Sequence, residues 1–325
     1  MKKAIIVALA AFALVSGAQE KKDAAASDAE ILKWKDGKKA VFMLEFDDSC
    51  VSHVTNAIPE LKKRGMVGTF YINAGNGPFK NKQNDWEKEI PKTGMEYGNH
   101  TFTHKGAPTL EDVDKDIALA NDEINKCFPD RKTPRLISFG QPGGVPWKIT
   151  KEEFNQLLAK YNLVDRPPFF GYPFHCKTKE DVLKLVDNAI AKGEMGHHDF
   201  HGVGGDWLTT PMDIFTALLD KLEENKDKVW VTDPVSYHKY LTERKGAELK
   251  VAQKDNSQIK LQLTCKTDAT LYDLPLTLQT KVPADWKECS VEQGKNRANV
   301  KVEDAAIRYS AEPVTGEIVI KAVKK

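Results

Sequence analysis

Two adjacent carboxylates, Asp47 and Asp48, close the apolar run Ala40-Val41-Phe42-Met43-Leu44. Neighbouring side chains on an extended segment point to opposite sides, so one carboxylate can grip a cation while the other faces a water. Further on, Asn99-His100-Thr101-Phe102-Thr103-His104 sets two imidazoles four residues apart, on one side of a helical turn and within reach of one cation. Two histidines and a carboxylate form a metal site with positions left open for water and substrate. A third cluster, His197, His198 and His201, runs into the glycine-rich stretch Gly202-Val203-Gly204-Gly205. An imidazole set in a cleft, with a pKa near neutral, donates a proton to a leaving group, and either His201 or His198 can fill that role.

These residues need elements to hold them together. The run at 40–44 lacks alternation and reads as a strand buried on both faces. Val54, Ile58 and Leu61 at helical spacing, with Gly65 beyond them, read as a helix and its cap. Further strands are expected at 67–73, 95–99, 136–139, 162–165, 195–200 and 229–232, and helices at 110–127, 150–161, 179–191, 212–225 and 234–244, with a short one at 85–90. Strands that each precede a helix argue for a parallel sheet, open or closed into a barrel. In that architecture the loops after the strand ends open on one face. Asp47 and Asp48 follow the first strand, the His100–His104 pair the third, and His198 and His201 the sixth, so all are expected to share that face. From about Gly246 helical periodicity gives way to strict alternation, as in Ile259-Lys260-Leu261-Gln262-Leu263, which predicts a small antiparallel β-sandwich.

The chain has 325 residues, more than one hydrophobic core usually serves. Its expected organisation is a signal peptide at 1–18, a flexible leader at 19–31, a β/α domain at 32–245 and a β-sandwich module at 246–325. The signal is the charged start Met1-Lys2-Lys3, a short apolar run and Ser16-Gly17-Ala18, with cleavage after Ala18 and a periplasmic or secreted product. No later segment is apolar enough to span a membrane. With 48 basic against 47 acidic residues and no basic block, nothing points to a nucleic-acid partner, and these patterns leave the oligomeric state open. The five cysteines allow two disulfides, one of them Cys265–Cys289, or a set of buried thiols.

Phe46-Asp47-Asp48-Ser49 resembles the Thr-Phe-Asp-Asp motif, and His100-Thr101-Phe102-Thr103-His104 the His-Ser/Thr-x-x-His motif, of the polysaccharide deacetylases, carbohydrate esterase family 4, with their NodB-homology domain. The resemblance extends to Trp34-Lys35-Asp36-Gly37-Lys38-Lys39 before the first strand and Val229-Trp230-Val231-Thr232 near the domain end, about residues 32–244 in all. It implies a distorted (β/α)7 barrel of NodB type. It implies further that Asp48, His100 and His104 hold a divalent metal, usually zinc (Zn2+), that Asp47 is the base that deprotonates a metal-activated water, and that His201 is the acid. The substrate would be an acetylated polysaccharide or oligosaccharide, N- or O-linked.

The chain also departs from the family pattern. Glu45 stands where the family has threonine. The Arg-Pro-Pro-Tyr/Phe motif, whose arginine steadies the base, finds its counterpart at Phe139-Gly140-Gln141-Pro142-Gly143-Gly144, without the arginine; Arg166, after the fifth strand, is a candidate to substitute in space, against the plainer reading of a surface or carboxylate-paired arginine. Gln141, Pro142, Gly143 and Trp207 are the expected substrate contacts. The Asp-Ser-x-Asp-Trp motif is not evident, with Asp165 in its approximate place. The missing arginine motif and the appended β-module suggest an alternative, a non-catalytic carbohydrate-binding protein on a degenerate scaffold. A non-haem iron(II) oxygenase would use the same ligand types, but in an antiparallel β-fold.

Overall fold

The computed structural model describes residues 28–323, so the expected signal peptide and most of the leader lie outside the described residues. Strands β2 (Ala40–Asp47), β3 (Thr69–Ile72), β4 (Glu96–Asn99), β5 (Ile137–Phe139), β6 (Leu163–Asp165), β7 (Met195–Phe200) and β8 (Val229–Thr232) form one seven-stranded sheet in the order β6-β5-β4-β3-β2-β7, with β8 also on β2. Every pairing in it is parallel. Helices alternate with the strands: α1 (Ile58–Lys63), α2 (Gly77–Asn81), α3 (Leu110–Cys127), α4 (Lys151–Lys160), α5 (Lys179–Lys192), α6 (Met212–Glu224) and α7 (Pro234–Gly246). Thr109, Thr150, Thr178 and Asp233 cap four of them by accepting from backbone N–H groups of the first turn. The sheet curls into the expected distorted barrel. Between β6 and β7 the gap is bridged by the segment after β6, where Asp199 N–H donates to the Phe170 carbonyl at 3.1 Å and Gly171 pairs with Asp199.

All eight residues of β2 are buried, and the period of two sorts them. Phe42, Leu44 and Phe46 face the helices and join the main core, whereas Glu45 and Asp47, on the opposite face, turn inward. Phe46 stacks between Phe70 and Phe200, with ring centroids 4.6 and 4.8 Å away. Truncating such a residue costs about 3–5 kcal/mol, so the strand that carries Asp47 is firmly seated.

The C-terminal part is the expected β-sandwich. Strand β1 (Ala29–Ile31) pairs with β11 (Leu276–Lys281), which pairs with β14 (Ala306–Ala311). The facing sheet runs β13 (Asn296–Lys301), β12 (Glu288–Gln293), β15 (Gly316–Ala322), β10 (Gln258–Cys265), β9 (Ala247–Lys254). Ile259, Leu261 and Leu263, the alternating residues of β10, pack with Leu278, Ile307, Ile318 and Ile320. The end of the expected leader is thus a strand: Ala29–Ile31 is three residues long, too short for a periodic signal, and gains its structure from Leu278–Thr280.

All five cysteines are unpaired. Cys265 and Cys289 lie on β10 and β12, with β15 between them and opposite ends of β15 as their level. Two strand spacings are about 10 Å, beyond the reach of a disulfide.

Candidate metal centre and active site

After β2 the backbone turns sharply, with Asp48 and Ser49 at φ 73° and 51°. This left-handed conformation, which aspartate tolerates better than most residues, swings Asp48 away from the direction of Asp47. The second arm follows β4. Residues 100–104 are not the helical turn expected from the four-residue spacing but an irregular loop in which Thr101 and His104 have φ of 60° and 55°. A β-branched residue at positive φ persists only where its surroundings over-determine it. Here Asn99 Oδ1 accepts from Thr101 N–H, Asp116 accepts from the backbone and hydroxyl of Thr103, and Thr101 Oγ1 accepts from His104 N–H. The two imidazole centroids end 5.0 Å apart.

Asp48 Oδ1 lies 3.5 Å from His100 Nε2 and 3.3 Å from His104 Nε2. One ligand atom from each of these residues falls within 4.8 Å of the others. His100 is buried, and its Nδ1 donates to the Gly140 carbonyl at 2.6 Å, which leaves Nε2 as the free donor and fixes the ring. Burial disfavours a charged His100, yet Asp47 and Asp48 outweigh it and raise its pKa, so the cluster attracts positive charge. Two imidazole nitrogens and a carboxylate oxygen fit a divalent ion such as zinc.

Arg166 reaches Asp47 from the far side of the barrel mouth. Its Nη1 and Nη2 each donate to one Asp47 oxygen at 2.6 Å, and Nη1 also lies 2.9 Å from Asp199 Oδ1. The family's Arg-Pro-Pro-Tyr/Phe motif therefore stands at Arg166-Pro167-Pro168-Phe169, after β6, and not at Phe139–Gly144. Burial opposes ionisation of Asp47, but the Arg166 guanidinium, the His100 imidazole and the two hydrogen bonds hold its carboxyl well below the usual range. The same burial pushes Glu45 and Asp199 up, since one guanidinium faces three buried carboxylates. Asp165, the positional counterpart of the absent motif, is exposed; burial raises its pKa and the Arg166 charge offsets part of that rise.

Strand parity separates the two candidate acids. On β7, Asp199 faces the interior with Arg166, and His201 continues that face, whereas His198 and Phe200 point to the helix layer. His201 Nε2 lies 3.7 Å from Asp48 Oδ2, between Phe169 and Trp207, each 5.1 Å away by ring centroid. Burial lowers its pKa against the pull of Asp47 and Asp48. His198 is fully buried, neither ring nitrogen has a partner, and burial pushes it down to about 3. It is removed from the cleft.

Trp207 is 65% exposed beside a cleft of about 420 Å³ that Asp48, Asn76, His104 and Asp206 also line. Its loop is pinned to the segment before α1, because Ser52 N–H donates to Asp206 at 2.6 Å and Val203 N–H to Ser52 Oγ at 3.0 Å. Gln141, Pro142 and Gly143 do not line this cleft; their neighbour Gly140 serves the site through its carbonyl. A further residue, His53, escapes the apolar pattern around Val54. It is fully buried, and its Nε2 donates to the His201 carbonyl at 2.6 Å.

Residues 35–163 match the family model for polysaccharide deacetylase. A gellan lyase from Bacillus sp. is 23% identical over 300 residues, 82% of this chain, and the chain spans 12% of that relative's length. Among solved structures, a family 4 carbohydrate esterase from Streptomyces lividans in complex with acetate is 17% identical, with 61% of this chain and 95% of that chain covered and a TM-score of 0.43. A peptidoglycan deacetylase from Bacillus subtilis is 20% identical (59% and 86% covered, TM-score 0.42). A family 4 pseudoenzyme from Bacillus anthracis is 16% identical (59% and 63% covered, TM-score 0.44). Both motifs, Phe46-Asp47-Asp48-Ser49 and His100–His104, lie inside the matched residues, so this part of the chain is similar to the polysaccharide deacetylase family.

Proposed function

We propose that the protein hydrolyses acetyl groups from an acetylated polysaccharide or oligosaccharide, with Asp47 as the base and His201 as the acid. The observation that carries this reading is the pairing of a guanidinium-clamped Asp47 with the Asp48, His100, His104 cluster at one barrel mouth. A divalent cation held by Asp48, His100 and His104, zinc being the ion that suits these donors best, supplies Lewis acidity toward the acetyl carbonyl and lowers the pKa of water. Asp47, kept ionised by Arg166, takes a proton from the attacking water as its oxygen bonds to the acetyl carbon. His201 then gives a proton from Nε2 to the departing nitrogen or oxygen as that atom's bond to the acetyl carbon breaks. Its lowered pKa makes its imidazolium the stronger acid.

The binding-protein alternative has two motives, a missing arginine and the appended β-module; Arg166 answers the first, and acetate release decides the second. The parallel β/α core counts against an iron(II) oxygenase. Among the described residues no helix is long and apolar enough to cross a membrane, and the charged start and small-residue site of the N-terminus support a periplasmic or secreted place of action. Acetate release from acetylated xylan, chitin oligomers and peptidoglycan, with chelator and with restored zinc, tests the function. Release that chelator abolishes and zinc restores is expected; none from any of the three would overturn it.

A further inference from the structure

Glu45 stands where the family has threonine, and it is completely buried in β2. Its Oε2 accepts a 2.6 Å hydrogen bond from the Tyr71 hydroxyl, which in turn lies 2.8 Å from Ser138 Oγ. The Tyr71 ring forms the floor under Arg166, with the guanidinium carbon 4.3 Å from its centroid. Two glycines make room for this stack. A Cβ on Gly98 would collide with the Tyr71 ring, and one on Gly140 would come within 2.7 Å of Arg166 Nε and 3.0 Å of Tyr71. The guanidinium is thus fixed at one edge by Asp47, at another by Asp199 and on one face by Tyr71. Glu45 itself is 4.0 Å from Arg166, beyond hydrogen-bond distance, so its direct contact is with the tyrosine.

We propose that Glu45 is a positioning residue for Asp47: its carboxyl oxygen anchors the Tyr71 hydroxyl, the Tyr71 ring sets the plane of the Arg166 guanidinium, and Arg166 orients the base. A threonine at position 45 is too short to reach that hydroxyl. Loss of either link lets the guanidinium tilt on its two remaining edges, and a base misplaced by a fraction of an ångström slows proton transfer without changing what binds the substrate. The inference rests on Asp47 being the base, but the anchoring itself can be observed without catalysis.

The test uses the full chain with zinc and three variants: Tyr71→Phe, which removes one oxygen, Glu45→Leu, which removes the acceptor, and Glu45→Gln, which keeps it. In nitrogen-15 NMR the Arg166 guanidinium, assigned by its loss in Arg166→Lys, should show separate, slowly exchanging Nη signals in the wild type and in Glu45→Gln. These should merge in Tyr71→Phe and Glu45→Leu. In parallel kcat should fall by about 10- to 100-fold in those two, with KM and zinc stoichiometry unchanged, and stay near wild type in Glu45→Gln. Unaltered Arg166 signals and kcat in Tyr71→Phe would overturn the proposal, as would a Glu45→Gln variant as impaired as Glu45→Leu. If Glu45→Leu does not fold, Tyr71→Phe decides. A wild type that releases no acetate would sink the proposed function alone, since the NMR signals still report the anchoring.

Discussion

Both carboxylate oxygens of Asp47 are held by the two terminal nitrogens of Arg166, at 2.6 Å each, although 119 residues separate the pair in sequence. This fork geometry is specific to arginine, because a lysine offers one point charge and no second parallel bond. Arg166→Lys should therefore lower kcat by about 10- to 100-fold with little change in KM, measured as initial rates of acetate release. Arg166→Leu should lose about 3–5 kcal/mol of stability in urea unfolding, since it leaves Asp47, Asp199 and Glu45 buried without a cation.

The place of His201 between Phe169 and Trp207, near Asp48, predicts a dependence on the leaving group. His201→Gln should slow release from N-acetyl sugars by about 100- to 10,000-fold, because a departing amine needs a proton. An aryl acetate, whose phenolate departs unaided, should lose far less. Equal losses on both substrates would place the role of His201 elsewhere.

His198 offers a control with a calculable sign. Its folded-state pKa is pushed to about 3 by burial, against an ordinary value near 6.5. The unfolded chain therefore binds the proton first as pH falls. The stabilising contribution is fully present above about pH 6.5 and is lost progressively until the folded group titrates near 3, up to about 5 kcal/mol in all. Burial depresses His53 in the same direction, to about 4. His198→Leu, which removes two unpartnered ring nitrogens, should be as stable as the wild type at pH 7, flatter in its stability between pH 6.5 and 3, and fully active. Equilibrium unfolding across that range, with acetate release at neutral pH, checks all three.

Much of the site was legible in the sequence because it depends on short-range order. The apolar run before Asp47 and the spacing of His100 and His104 mark strand ends, and strand ends fix the shared face. The parity of β7 would also have separated His201 from His198, since alternate residues face opposite sides. Arg166 was harder to place. Its motif is literal at 166–169, but Phe139–Gly144 after β5 offers a competing counterpart, and only the curl of the sheet shows that the end of β6 faces Asp47 across the barrel mouth. His53 was invisible for a different reason. It sits in a π-helical turn, His53–Ala57, whose register departs from the 3.6-residue pattern that picked out Val54, Ile58 and Leu61. For the loop at 100–104 the spacing predicts a helical turn, because spacing alone cannot show two left-handed residues.

The most direct test is Asp47→Asn, assayed for acetate release and for bound metal in the same preparation. Asparagine keeps the size of the side chain and leaves Asp48, His100 and His104 untouched, but it cannot accept a proton from water. Acetate release should fall by about 100- to 10,000-fold while one divalent ion per chain remains bound. Full activity in Asp47→Asn, or loss of the ion together with the activity, would contradict the assignment of Asp47 as the base and Asp48 as the ligand.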